Sequence, residues 1–180
     1  HAQSTANVER IIITHPDDGC NGYGLTELGI QQALDAGKFI VDRVIPEINN
    51  SVLNNHKFTA NDIKIYYSDF KRTTETALNI AKYLGINVSQ NVFPSKLLRE
   101  RYYGQLDKQP YEAILDYKIF EKDYQNINNT FAGLEPISSI ASKFKQFIAQ
   151  IENDTKLKYS KPKLIIVCSH GDNMRIYQSL

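Results

Sequence analysis

The feature that most constrains this chain is the spacing of its short apolar, β-branched runs. Residues 10–14 (Arg-Ile-Ile-Ile-Thr), 63–68 (Ile-Lys-Ile-Tyr-Tyr-Ser) and 164–168 (Leu-Ile-Ile-Val-Cys) carry no helical period. Runs of this kind read as strands buried on both faces. Between them, apolar residues recur at helical spacing. Thr26 fits an N-cap, and Leu28, Ala33, Leu34, Gly37, Val41 and Val44 follow until Pro46 ends the pattern. A second helix is expected from Thr73 to Leu84, stopped by Gly85, and another from Ile137 to Ile151. Residues 47–62 read as a polar surface connection, 86–93 as a further short strand, and 173–180 as the start of a last helix. Residues 95–134, with five tyrosines between 102 and 124, read as an excursion holding one or two short helices. Strands alternating with helices, without internal repeats, predict one α/β domain over 1–180. Its expected form is a three-layer α/β/α sandwich with a mostly parallel central sheet.

Composition narrows the function classes. The 180 residues suit one domain, and 42% hydrophobic with 23% charged residues is ordinary for a globular chain. A net charge of +1 provides no global field for nucleic acid, so an anionic ligand would need local charge. Cys20 sits in a glycine-rich loop and Cys168 in an apolar run; a disulfide framework is not expected and no metal-ligand spacing such as C-x-x-C is present. No apolar stretch reaches membrane-spanning length. The chain opens His1-Ala2-Gln3-Ser4 without Met, which leaves cytoplasmic residence and export after signal removal both open. Glycosylation patterns at Asn49, Asn87, Asn128 and Asn153 carry little weight in so Asn-rich a chain. Oligomeric state is not legible.

In open parallel sheets, ligands bind outside the carboxyl ends of the strands. The expected strands deliver His15, Ser68 and His170 to that edge. A histidine there is either a nucleophile or a loop residue satisfied by backbone; two at corresponding positions bring the first reading level with the second. Arg72 opens the helix after the second strand, where backbone N–H groups and a planar guanidinium suit an anion. An isolated arginine is equally a solvated surface residue. Glu100, flanked by Arg99 and Arg101, is either salt-bridged or, if burial raises its pKa, a proton donor to a leaving oxygen.

Four ordered segments resemble the histidine phosphatase superfamily, in its phosphoglycerate mutase-like branch. They are Ile11-Ile12-Ile13-Thr14-His15 with Leu25-Thr26-Glu27-Leu28-Gly29-Ile30-Gln31-Gln32-Ala33; Ser68-Asp69-Phe70-Lys71-Arg72 with Thr76-Ala77; Leu98-Arg99-Glu100-Arg101-Tyr102-Tyr103-Gly104; and Ser169-His170-Gly171. Gly133-Leu134-Glu135 is similar to the family's Gly-Glu-Ser. The resemblance implies a phosphoglycerate mutase-like fold and a metal-independent phosphatase with no other cofactor. In it His15 becomes phosphohistidine, Arg72 and His170 hold the phosphoryl oxygens with Thr14 and Ser68 nearby, and Glu100 protonates the leaving group. The implied partner is a small phosphorylated substrate or a phosphoprotein.

The family places Arg before its nucleophile and Gly after it, where this reading finds Thr14 and Pro16. A missing donor of that kind costs about 3 kcal/mol, roughly a hundredfold in rate. Arg99, Arg101 and Lys71 are candidates to replace it, whereas Arg10 lies too far back. Asp17 and Asp18 would repel a dianion, or favour a cationic or polyhydroxylated leaving group. Two alternatives therefore stand beside the phosphatase: a weak or inactive phosphate-binding module of the same fold, and a phosphoglycerate mutase-type phosphotransferase. The excursion at 95–134 is the expected lid. The chain stops ten residues after His170, where the family continues with a helix and a strand, so an incomplete C-terminal end is expected.

Overall fold

Three parallel strands organise a helix-rich chain. The computed structural model describes residues 1–51, 58–158 and 164–179. In chain order its elements are α1 (Thr5–Glu9), α2 (Pro16–Asn21), α3 (Glu27–Phe39), a π-helical stretch (Ile40–Val44), α4 (Ile45–Ser51), β1 (Ile63–Tyr67), α5 (Lys71–Leu84), α6 (Val88–Asn91), β2 (Val92–Pro94), α7 (Glu112–Asp116), α8 (Ile119–Gln125), α9 (Ile137–Lys158), β3 (Leu164–Cys168) and α10 (Gly171–Gln178). The strand order is β2-β1-β3, all parallel, with Ile65 opposite Val92 and Ile63 opposite Leu164.

The period-two alternation of β1 sorts its neighbours into layers. Ile63 and Ile65 face a core with Ala77, Ile80, Ala81 and Leu84 of α5, and α3 packs behind α5. Tyr66 points the other way, to Phe147 and Ile140 of α9 and to Ile176 and Tyr177 of α10. Helices thus cover both faces, the layered α/β arrangement expected from the alternation of strands and helices. Gly85 ends α5 with φ of 64°, a left-handed conformation that a Cβ would strain. Among the described residues, no helix is long and apolar enough to cross a membrane.

The expected strand at 10–14 is not part of this sheet. Ile12 and Ile13 are buried, but the backbone of the segment bonds to the excursion: Ile12 N to Gln109 O at 2.8 Å, and Tyr111 N to Arg10 O at 3.0 Å. Apolar content foretold its burial and could not specify its partner. Pro46 does not end its helix either. The π-helical stretch lies just before it, and such a change of register takes up the hydrogen bond that proline cannot donate. The chain stays helical to Ser51, within the expected surface connection, of which residues 52–57 lie outside the described residues. Of the expected 86–93 strand only Val92 and Phe93 pair, in a strand that runs on to Pro94, because Val88–Asn91 forms a helical turn capped by Asn87. The helix from Ile137 continues past Ile151 to Lys158.

The excursion has its own apolar cluster of Ile12, Tyr103, Leu106, Ile119 and Leu134. Gly104 packs so closely there that a Cβ would lie 2.2 Å from Ala132 O.

Candidate active site

A cavity of about 660 Å³ opens beyond the carboxyl ends of β1 and β3. Arg72, in the first turn of α5, lies at its base and is only 4% exposed. Its Nη2 donates to Ile13 O and to His170 Nδ1, both at 3.1 Å, and its Nε donates to His1 Nε2 at 3.2 Å. Glu100 Oε2 stands 3.8 Å from Nη2. Nη1 is buried without a hydrogen-bond partner, the only such side-chain atom among the described residues. A buried guanidinium nitrogen with no partner is costly, and an anion in the cavity would satisfy it.

His170 caps α10 and is fully buried. An arginine can only donate, so His170 Nδ1 accepts and its Nε2–H donates to Ser68 Oγ at 2.9 Å. Burial, then the nearby Arg72, hold its pKa well below the usual 6.5, so the ring is neutral. Burial pushes the Glu100 carboxyl up to about 7, against the pull of Arg72. Glu100 Oε2 also lies 3.5 Å from His170 Nδ1.

His1 completes the group. Its main-chain nitrogen donates to Ser169 O at 2.9 Å, and Ala2 N donates to Thr76 Oγ1, which hold it between β3 and α5. Because Nε2 accepts from Arg72, the ring proton is on Nδ1, which donates to Ala2 O at 2.7 Å. The imidazole lines the cavity with its unprotonated Nε2 held by Arg72 Nε–H, edge-on to the His170 ring at 5.3 Å.

The sequence profile of the histidine phosphatase superfamily (branch 1) matches residues 1–180. The chain belongs to that superfamily. No curated protein is similar enough to count as a relative. Among solved structures, a mycobacterial glucosyl-3-phosphoglycerate phosphatase superposes with a TM-score of 0.69 at 17% identity, over 99% of this chain and 74% of that one. The same enzyme in complex with inorganic phosphate gives 0.64 at 18% identity, over 99% and 74%. The Bacillus stearothermophilus protein YhfR gives 0.66 at 19% identity, over 99% and 75%. At these identities the likeness is one of fold.

The expected site of this family member is only partly assembled as its sequence suggested. Arg72, Glu100 and His170 meet around the cavity, and His15 does not join them. His15 caps the short α2, accepting from Asp17 N at 3.3 Å, with Asp17 Oδ2 at 3.8 Å and the Tyr102 ring beside it. The physical reason is the pairing of 10–14 with the excursion, which carries His15 off the sheet edge. Ser68 is fully buried and bonds to His170, so it supports that ring and does not line the cavity. Thr14 lines the cavity, but its hydroxyl donates to Asp107 at 2.7 Å and accepts from Tyr103 N at 3.1 Å.

The remaining candidates have other partners. Arg99 pairs with Asp69 at 2.6 Å. Arg101, 1% exposed, grips Asp123 with both terminal nitrogens, at 2.6 and 2.8 Å, and gives Nε to Glu135 O. Lys71 is exposed. Asp18 pairs with Lys108 at 2.9 Å, and neither Asp17 nor Asp18 lines the cavity. Among the described residues, no group of three or more His, Cys, Asp or Glu is placed to hold a metal ion.

His1 was missed because it opens the chain, with no preceding strand to read. A signal existed. His1 is followed by the small Ala2, close to the glycine of the family's Arg-His-Gly, whereas His15 is followed by Pro16. Ser4 and Asn7 then form a capping box that starts α1 directly after it.

Proposed function

We propose that the protein hydrolyses phosphate monoesters of small molecules through a phosphohistidine formed on His1 Nε2. The observation that carries this reading is the grouping of the unprotonated His1 Nε2, held by Arg72 Nε–H, with the unpartnered Arg72 Nη1 and the raised Glu100 carboxyl around one cavity. This replaces His15 as the acceptor. It also removes the main argument for a weak or inactive module, since Thr14 does not precede the histidine in the cavity.

In the first step His1 Nε2 gives up its hydrogen bond from Arg72 Nε, which turns to the phosphoryl oxygens; Nε2 attacks phosphorus and the ester P–O bond breaks. Glu100, protonated below about pH 7, passes its proton to the departing alkoxide. In the second step the Glu100 carboxylate takes a proton from water as that water attacks the phosphohistidine. The P–N bond breaks, phosphate leaves, and His1 and protonated Glu100 are restored. Arg72 holds the phosphoryl oxygens and stabilises charge built up in transit, the main task in phosphoryl transfer. His170, with both nitrogens already engaged, orients Arg72 and thereby acts as a positioning residue.

The test is turnover of p-nitrophenyl phosphate by wild type, His1→Ala and His15→Ala, with acid-sensitive, base-stable labelling by a radioactive phosphodonor. Wild type should turn over and label, and His1→Ala should lose both by about a thousandfold or more. If His1→Ala keeps activity while His15→Ala loses it, His15 is the acceptor. No turnover by wild type overturns the phosphatase reading.

A further inference from the structure

Away from Arg72 and His170, one stretch of the cavity wall is apolar. Ile114 and Leu115 of α7, Phe120 of α8 and Met174 of α10 contribute to it. Leu115 is 69% exposed, Phe120 47% and Met174 37%. Large apolar side chains left exposed at a cavity mouth mark a contact surface for an apolar ligand.

The polar groups on the same wall are largely committed to one another. Asn7 Oδ1 accepts from Ser4 N at 2.8 Å and from Ser4 Oγ at 2.9 Å, and Asn7 Nδ2 donates to Tyr111 OH at 2.9 Å. Tyr103 OH donates to Asp172 Oδ2 at 2.9 Å, an oxygen that also faces Arg101 Nη1 at 3.5 Å. The Thr14 hydroxyl is engaged with Asp107. Arg175 stands at the exposed rim. A polyhydroxylated leaving group would give up water for few matching partners, whereas an apolar one loses nothing by entering.

We propose that the leaving group selected here is apolar, an arylalkyl or branched alkyl alcohol, and that Leu115, Phe120 and Met174 are the residues that read it. The proposal rests on the monoesterase reading above. It departs from the polyhydroxylated leaving group that Asp17 and Asp18 suggested, since those carboxylates lie off the cavity.

The experiment compares kcat/KM for 2-phenylethyl phosphate and glycerol 1-phosphate in the full-length protein. Both release primary alkoxides, so the ratio reads the wall. It should exceed about tenfold in favour of 2-phenylethyl phosphate, and Leu115→Ser/Phe120→Ser should bring it close to one. Equal values in wild type, or an unchanged ratio in the double variant with an unaltered melting temperature, overturn the proposal. If neither ester turns over, the phosphatase reading fails and calorimetric titration still tests the wall. Binding of 2-phenylethylphosphonate tighter than 2,3-dihydroxypropylphosphonate by tenfold supports it, and equal affinities overturn it.

Discussion

Two buried arginines in this molecule have opposite surroundings. Arg101 is enclosed by its partners: two bonds to Asp123, one to the Glu135 carbonyl, Asp172 at 3.5 Å and the Tyr103 ring beneath it. Arg72 has no carboxylate closer than Glu100 at 3.8 Å, shares its nitrogens with two imidazoles and a carbonyl, and leaves Nη1 unmatched. A guanidinium whose charge is answered within the fold holds the fold together. One whose charge is left over is arranged for an incoming anion. The sequence marks Arg72 by its place in the first turn of a helix after a strand, but which guanidinium is enclosed by partners is not legible in stretches of mixed charge.

The sharpest way to break that comparison is to replace each arginine by leucine. Arg101→Leu strands Asp123 without its cation in a buried place and should cost roughly 3–5 kcal/mol of stability. Arg72→Leu should leave the melting temperature near or above wild type and lower kcat/KM about a hundredfold or more. Chemical denaturation and steady-state kinetics read the two effects separately. If Arg72→Leu destabilises as much as Arg101→Leu, the distinction between them fails.

A smaller effect comes from Glu100. With burial raising its pKa to about 7, the carboxyl proposed as proton donor is lost as pH rises, so kcat/KM for alkyl esters should fall about tenfold per unit above neutrality. Its stability effect has the same direction. Between 4.5 and about 7 the folded chain keeps a proton that the unfolded chain has released, so this group lowers stability as pH rises through that window. Glu100→Gln should flatten both slopes; a wild-type profile level from pH 6 to 9 would remove Glu100 from the mechanism.

The smallest expected change is at His15. Its side chain is 44% exposed and its partners are Asp17 and Tyr102, so His15→Ala should alter kcat/KM by less than about twofold and stability by no more than the loss of a weak cap. A large loss of turnover would place His15 nearer the chemistry than its contacts do.

Much of this protein follows from local pattern alone. The periodicity of 63–68, 164–168 and 73–84 defined β1, β3 and α5 within a few residues, because strand burial and helix faces are set by neighbours close in the chain. Ser68-Asp69-Phe70-Lys71-Arg72, Glu100 and Ser169-His170-Gly171 were legible for the same reason: each follows or adjoins an element whose end fixes where it points. The pairing of 10–14 was not legible, since a buried apolar run fits a sheet or an excursion equally well and only tertiary hydrogen bonds choose. That one choice moves the proposed acceptor from His15 to His1. The sequence by itself determined the layered α/β class and three of the four groups around the cavity. Only the tertiary structure decided which histidine completes it and which buried arginine keeps a free nitrogen, because both depend on partners between 71 and 168 residues away.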